Sequence, residues 1–121
     1  MALGVEEEWV TLEVGEKAPD FEAELTDGST IRLSEVLAGG QRVILYFYPK
    51  DSTPGCTTQA CDFRDEFEAF EAAGYRVFGV SKDSARSHER FITKHGLNFE
   101  LIVDSEIVLH RLYGVWREKM N

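Results

Sequence analysis

Two cysteines, Cys56 and Cys61, stand five positions apart in the run Tyr48-Pro49-Lys50-Asp51-Ser52-Thr53-Pro54-Gly55-Cys56-Thr57-Thr58-Gln59-Ala60-Cys61, and the chain has no others. Thiols so arranged can do redox chemistry. The run lies where an apolar stretch hands over to a helical pattern. A thiol at a helix N-terminus meets unpaired backbone N–H groups and the positive end of the macrodipole. Both favour the thiolate, which is the nucleophile. A second cysteine close by can trap the first once it is oxidised.

A thiol at the ordinary value near ~8.5 is only about 3% ionised at pH 7. Making it about 90% ionised takes roughly 3.4 kcal/mol of preferential stabilisation. A helix end supplies ~0.3–1 kcal/mol, and about 2 in the best geometries. Cys56 therefore needs a further partner, and Thr53, three residues before it, is a local donor. Pro49 and Pro54 stiffen the loop and carry no N–H. Gly55 lets another group approach the backbone closely. If both cysteines are helical, their Cα atoms lie about 8.6 Å apart, beyond the ~7 Å a disulfide tolerates. The pair can close only if the first turn unwinds, so two conformations are expected. The CxxxxC spacing is not the CxxC of a thioredoxin-type reductase, which argues against disulfide exchange on proteins.

The elements that must hold this loop can be read from the pattern. Phe21–Leu25 and Thr30–Leu33 flank Asp27-Gly28, a hairpin signal. Val43–Tyr48 is a continuous apolar run, as a strand buried on both faces shows. One helix is expected over Thr57–Ala73, ended by Gly74, with Ala60, Phe63, Phe67 and Phe70 as its apolar stripe. Arg76–Ser81 and Phe99–Val103 read as further strands. Ser84 caps a helix over Ala85–His95 that Gly96 closes, and Asp104 or Ser105 caps a short helix ending near Tyr113. Strands alternating with helices predict a single α/β domain over residues 1–121 with a mostly parallel sheet. Residues 1–20, with Glu6-Glu7-Glu8, read as peripheral.

A formal net charge of −9 over 121 residues argues against nucleic acid or an anionic membrane surface as partner. No N-terminal stretch joins a basic region to a long apolar one, and no apolar run reaches the ~20 residues of a membrane span. A cytoplasmic setting follows, where paired cysteines point to catalysis, metal binding or redox cycling. His88 and His95 lie seven apart, too far along a helix to share a metal ion, and read as the margin of a helix–sheet interface. His110 reads as a surface residue. Asp62, Asp65, Glu66, Glu68 and Glu71 read as a solvated helix face, and Trp9 and Trp116 as core or rim packing.

The loop resembles that of the peroxiredoxins, specifically the bacterioferritin comigratory protein or peroxiredoxin Q subfamily. The family motif Pro-x3-Thr-x2-Cys is met by Pro49, Thr53 and Cys56, and Cys61 matches the subfamily's second cysteine. Gly15-Glu16-Lys17-Ala18-Pro19-Asp20-Phe21, Gly79-Val80-Ser81, Ser87-His88 with Phe91, and Tyr113-Gly114-Val115-Trp116 extend the likeness over residues 12–119. The resemblance implies a thioredoxin-like fold, a central mixed sheet flanked by helices. It implies thiol-dependent reduction of hydrogen peroxide and organic hydroperoxides, with no metal or organic cofactor. Cys56 would be the peroxidatic cysteine and Cys61 the resolving one. Thr53 would bond the peroxide and the thiolate, and Pro49, Pro54 and Gly55 would line the substrate site. A thioredoxin-like dithiol would reduce the resulting disulfide, and the protein would act as a monomer. The family's active-site arginine, its final β-hairpin and its last helix have no counterpart up to Asn121, and Arg117 sits where the family is variable. Two other readings stay open beside this one: a non-catalytic thiol redox sensor, and an inactive truncated fragment.

Overall fold

The computed structural model describes residues 12–116; Glu6-Glu7-Glu8, Trp9 and Arg117 lie outside the described residues. Strands β1 (Glu22–Leu25) and β2 (Thr30–Arg32) form the expected antiparallel hairpin. Gly28 takes φ +90°, and the Asp27 carboxylate accepts from the Ser29 N–H and hydroxyl at 2.9 and 2.6 Å. That Asx-type bonding is why this dipeptide turns the chain. Strands β3 (Arg42–Phe47), β4 (Tyr75–Ser81) and β5 (Glu100–Val103) run parallel, and β1 joins β5 antiparallel. The sheet order is β2-β1-β5-β4-β3, the mixed arrangement expected.

Helices α1 (Leu33–Ala38), α2 (Pro54–Asp65), α3 (Phe67–Ala72), α4 (Ala85–His95) and α5 (Val108–Leu112) cover the sheet. The crossovers β3 to β4 and β4 to β5 step the same way across it. With a common right-handed sense this places α2, α3 and α4 on one face. There Ala60 and Phe91 pack with Val77, Leu97, Phe99 and Leu101, joined by the half-buried Phe63, Phe67 and Phe70. On the other face Leu33 of α1 and Leu109 of α5 meet Phe21, Phe78, Val80 and Ile102. Phe91 is 1% exposed, and burying such a side chain is worth roughly 1.5–3 kcal/mol.

Three expectations are corrected. The single helix over Thr57–Ala73 is two helices, begun earlier at Pro54 and broken at Glu66. Asn98 donates to the Arg64 carbonyl at 3.2 Å, engaging an acceptor that a continuing helix would use. The phenylalanine stripe spans the break. Second, β3 is half-buried instead of fully buried, because it is the edge strand among the described residues. Third, α5 starts at Val108, after Ile107 in the left-handed region at φ 51°. Asp104 still caps it, from a distance: its carboxylate accepts the Leu109 and His110 N–H groups at 3.1 and 3.0 Å. Helix α4 keeps its predicted ends, with the Ser84 hydroxyl accepting the Ser87 N–H at 3.2 Å and Gly96 in the left-handed conformation.

Candidate active site

The loop between β3 and α2 is fixed before it reaches the cysteine. Tyr48 extends the pairing of β3, its N–H donating to the Val80 carbonyl at 3.0 Å. Three residues on, Asp51 is buried, and its carboxylate gathers three donors. The Tyr48 hydroxyl reaches one oxygen at 2.6 Å. The Ser87 hydroxyl and His88 Nδ1 reach the other at 2.8 and 2.7 Å. The Asp51 N–H donates to Asp83 at 2.9 Å, and that carboxylate is itself held by the Ser81 hydroxyl at 2.6 Å. Ser52 then takes φ +66°, which for a residue with a side chain costs about 1–2 kcal/mol. This one reversed residue redirects the chain into α2.

Pro54 opens α2 as its first helical residue, which suits proline because that N–H has no helical partner. The first ladder bond runs from the Thr57 N–H to the Thr53 carbonyl at 2.8 Å. The Gly55 and Cys56 N–H groups precede it, so they point outward from the helix end. Cys56 is thus the third residue of α2, half-buried, packed against the core that contains Tyr48 and Ala60. Gly55 is exposed, and a methyl added there would meet open space. Cys61 lies in the same unbroken helix, half-buried, and both thiols are free.

Thr53, Pro54, Gly55 and Cys56 therefore share one turn, with Cys61 five residues along the same helix. The Thr53 hydroxyl donates to the Lys50 carbonyl at 3.1 Å. It donates to Cys56 or to a substrate only after turning from that acceptor. Pro49 is exposed and edges a separate cleft of about 210 Å³, bounded also by Lys82, His110 and Trp116, whose lining does not include Cys56. Among the described residues, no group of three or more His, Cys, Asp or Glu side chains is placed to hold a metal ion. No helix among them is long and apolar enough to cross a membrane.

Tyr46 adds a feature the residue pattern did not show. Its ring stacks on Phe63 of α2 at 4.5 Å between centroids, and its hydroxyl is buried without a hydrogen-bond partner. Burial pushes this phenol far up, and the charges of Cys56 and Asp51 add to the effect. Two histidine assignments are also corrected. His88 is fully buried, and His110 is buried with Nδ1 at 2.6 Å from Asp104. A signal existed for His88, which shares the buried face of α4 with Phe91 at helical spacing. The five carboxylates Asp62, Asp65, Glu66, Glu68 and Glu71 are all exposed, as expected of a solvated face.

Burial works against ionisation of Asp51, yet the hydrogen bonds from His88, Tyr48 and Ser87 outweigh it and hold the carboxyl below its usual range. A lowered acid stabilises the fold above its unfolded value near ~3.9 and loses that contribution as pH falls through the folded value. Urea unfolding should therefore show wild type exceeding Asp51→Asn at pH 6, with the gap shrinking below about pH 4. A gap that widens on acidification contradicts the assignment.

Comparison with known proteins follows the same lines. A profile of the AhpC/TSA family matches residues 14–121. Peroxiredoxin Bcp of Bacillus subtilis is 48% identical over 112 residues, which are 93% of this chain and 70% of that protein. A Xanthomonas campestris bacterioferritin comigratory protein, solved as trapped intermediate and ligand complexes bearing on its alkyl peroxide reduction activity, superposes with a TM-score of 0.77 at 39% identity. The match covers 82% of this chain and 62% of that one. Peroxidoxin BcpB of Mycobacterium tuberculosis gives a TM-score of 0.81 at 32% identity, over 90% of this chain and 70% of that one.

Proposed function

Because the chain belongs to the AhpC/TSA family, with relatives of the Bcp and peroxiredoxin Q type, we propose that it is a thiol peroxidase that reduces hydrogen peroxide and organic hydroperoxides through Cys56. The Cys56 thiolate attacks the terminal oxygen of the hydroperoxide. The O–O bond breaks, sulfur is oxidised by two electrons to a sulfenic acid, and water or an alcohol leaves with the available proton. The Gly55 and Cys56 N–H groups and the helix dipole stabilise negative charge at that end of α2. Thr53, turned from Lys50, donates to the peroxide, and Pro54 walls the approach, while Pro49, which edges a separate cleft, is left out of it.

Cys61 then resolves the sulfenic acid: its sulfur bonds to that of Cys56 and water is released. A thioredoxin-like dithiol in the cytoplasm reduces the disulfide, taking on the oxidation itself. The protein works as a monomer and needs no metal or organic cofactor. The observation that carries this reading is the position of a free Cys56 in the first turn of α2, with free Cys61 in the same helix. Because both are helical, forming their bond demands unwinding of that turn.

Intact mass measures this directly. Reduced chain treated with one equivalent of hydroperoxide should lose about 2 Da, the two thiol hydrogens. A dithiol such as reduced thioredoxin should restore the original mass. A mass that never changes, or that rises by whole oxygen atoms without passing through the disulfide, contradicts the two-cysteine cycle.

A further inference from the structure

We propose that Asp51 and His88 form a latch that keeps the Cys56 loop in its peroxide-reactive shape, and that opening this latch commits Cys56 to Cys61. The inference rests on the peroxidase reading above and assigns two positioning residues to it. Neither touches the reacting sulfur; they act through the loop.

The latch runs from the loop into the centre of the sheet. His88 Nδ1 meets the Asp51 carboxylate at 2.7 Å, and Nε2 meets the Ile102 carbonyl on β5 at 2.9 Å. The ring thus bridges a carboxylate on the loop and a backbone carbonyl of the sheet, out of contact with water, since side-chain exposures are 0% and 2%. Tyr48 and Ser87 complete the carboxylate's shell. Such a buried pair is stable when whole and unfavourable when half-broken, which gives the loop two discrete states instead of a continuum.

Its position makes it matter for the sulfur. Only Ser52 and Thr53 separate Asp51 from the first residue of α2, and Ser52 is held in a reversed backbone conformation. With Asp51 fixed, unwinding must be absorbed within residues 52–56. With Asp51 released, Ser52 is free to relax and the hinge extends back to Pro49. The reactive geometry and the disulfide-forming geometry thus compete, and the Asp51–His88 pair biases the competition toward the former.

The test is single-turnover rapid quench of the full chain, reduced and then mixed with hydrogen peroxide. Intact mass follows sulfenic acid and disulfide separately. His88→Leu is expected to slow sulfenic acid formation roughly tenfold and to speed disulfide formation by a similar factor, as loss of a charge-assisted bond allows. Ser87→Ala, which removes one donor from Asp51, should move both steps the same ways by about two- to threefold. His88→Asn, which keeps a donor near the Nδ1 position, should recover part of both changes. If His88→Leu does not fold, Ser87→Ala and His88→Asn carry the comparison. Wild type that forms disulfide, beside variants whose two steps are unchanged or slow together, overturns the latch alone. Wild type that never forms disulfide overturns the peroxidase reading, and the latch with it.

Discussion

Cys56→Ser is expected to abolish hydroperoxide-dependent oxidation of a dithiol, whereas Cys61→Ser should consume one equivalent of peroxide and then stop. The contrast follows from the different places the two sulfurs occupy in α2. Cys56 stands ahead of the first ladder bond, where the helix end offers unpaired N–H groups. A serine hydroxyl there would fit the same space, but it stays protonated near neutrality and cannot accept oxygen from a peroxide. Losses on deleting a nucleophile reach about 10⁴- to 10⁶-fold, so turnover should fall to the uncatalysed background. Cys61 lies within the ladder, more than a turn away, and does no work until Cys56 has been oxidised. Its serine variant should accumulate sulfenic acid that a dimedone-type probe labels, with turnover restored only when an outside thiol resolves it. Dithiol oxidation by Cys56→Ser at a rate near wild type would disprove the assignment. So would continued cycling by Cys61→Ser with thioredoxin alone, which would remove Cys61 from the cycle.

What could be read without coordinates was local. The Asp27-Gly28 hairpin, the Ser84 and Gly96 ends of α4 and the placement of Cys56 beside Pro54 each depend on residues within a turn of one another. Helix α1 carries little local signal: it is six residues long, Arg32 gives it no side-chain cap, and the carboxylate that accepts its Ser34 N–H at 2.8 Å, Asp20, is 14 residues away. The break at Glu66 was hidden because Asn98, which takes the Arg64 carbonyl, is 34 residues away in sequence. The Asp51–His88 pair spans 37 residues. The apolar spacing of α4 marks His88 as facing inward, but no pattern in α4 names the carboxylate waiting there. Likewise Asp104 could be read as a cap for α5, while its second role, receiving His110 Nδ1, depends on how the chain folds back after the reversed Ile107. Polar groups buried by long-range contacts are the part of the site that local rules do not reach.

The second large effect is expected outside the cysteine loop, at Gly79. This residue of β4 pairs in register with Tyr46 of β3, and the tyrosine ring lies across it. A Cβ at position 79 would stand 2.8 Å from Leu101 Cδ2 and 2.9 Å from Tyr46 Cζ and Oη. Carbon atoms prefer ~3.5–4.0 Å, so something must move. Leu101 is 0% exposed, and the Tyr46 ring is stacked on both Phe63 and Tyr48, so neither has slack. Gly79→Ala should therefore destabilise by about 1–3 kcal/mol, and Gly79→Val by more. Tyr46→Phe should act the opposite way: it removes a buried hydroxyl that has no partner, and losing that penalty should stabilise by about 1 kcal/mol. The two changes share one contact, so they should not add. Phenylalanine at 46 deletes the Oη clash while leaving those at Cζ and Leu101, and the double variant should be more stable than the sum by ~0.5 kcal/mol or more. Urea midpoints for the four chains measure this cycle, and a Gly79→Ala chain as stable as wild type would refute it. The catalytic consequence lies in the direction of the push. A displaced ring presses on Phe63, on the helix that carries Cys56, so Gly79→Ala should also slow peroxide reduction, although the glycine makes no contact with substrate.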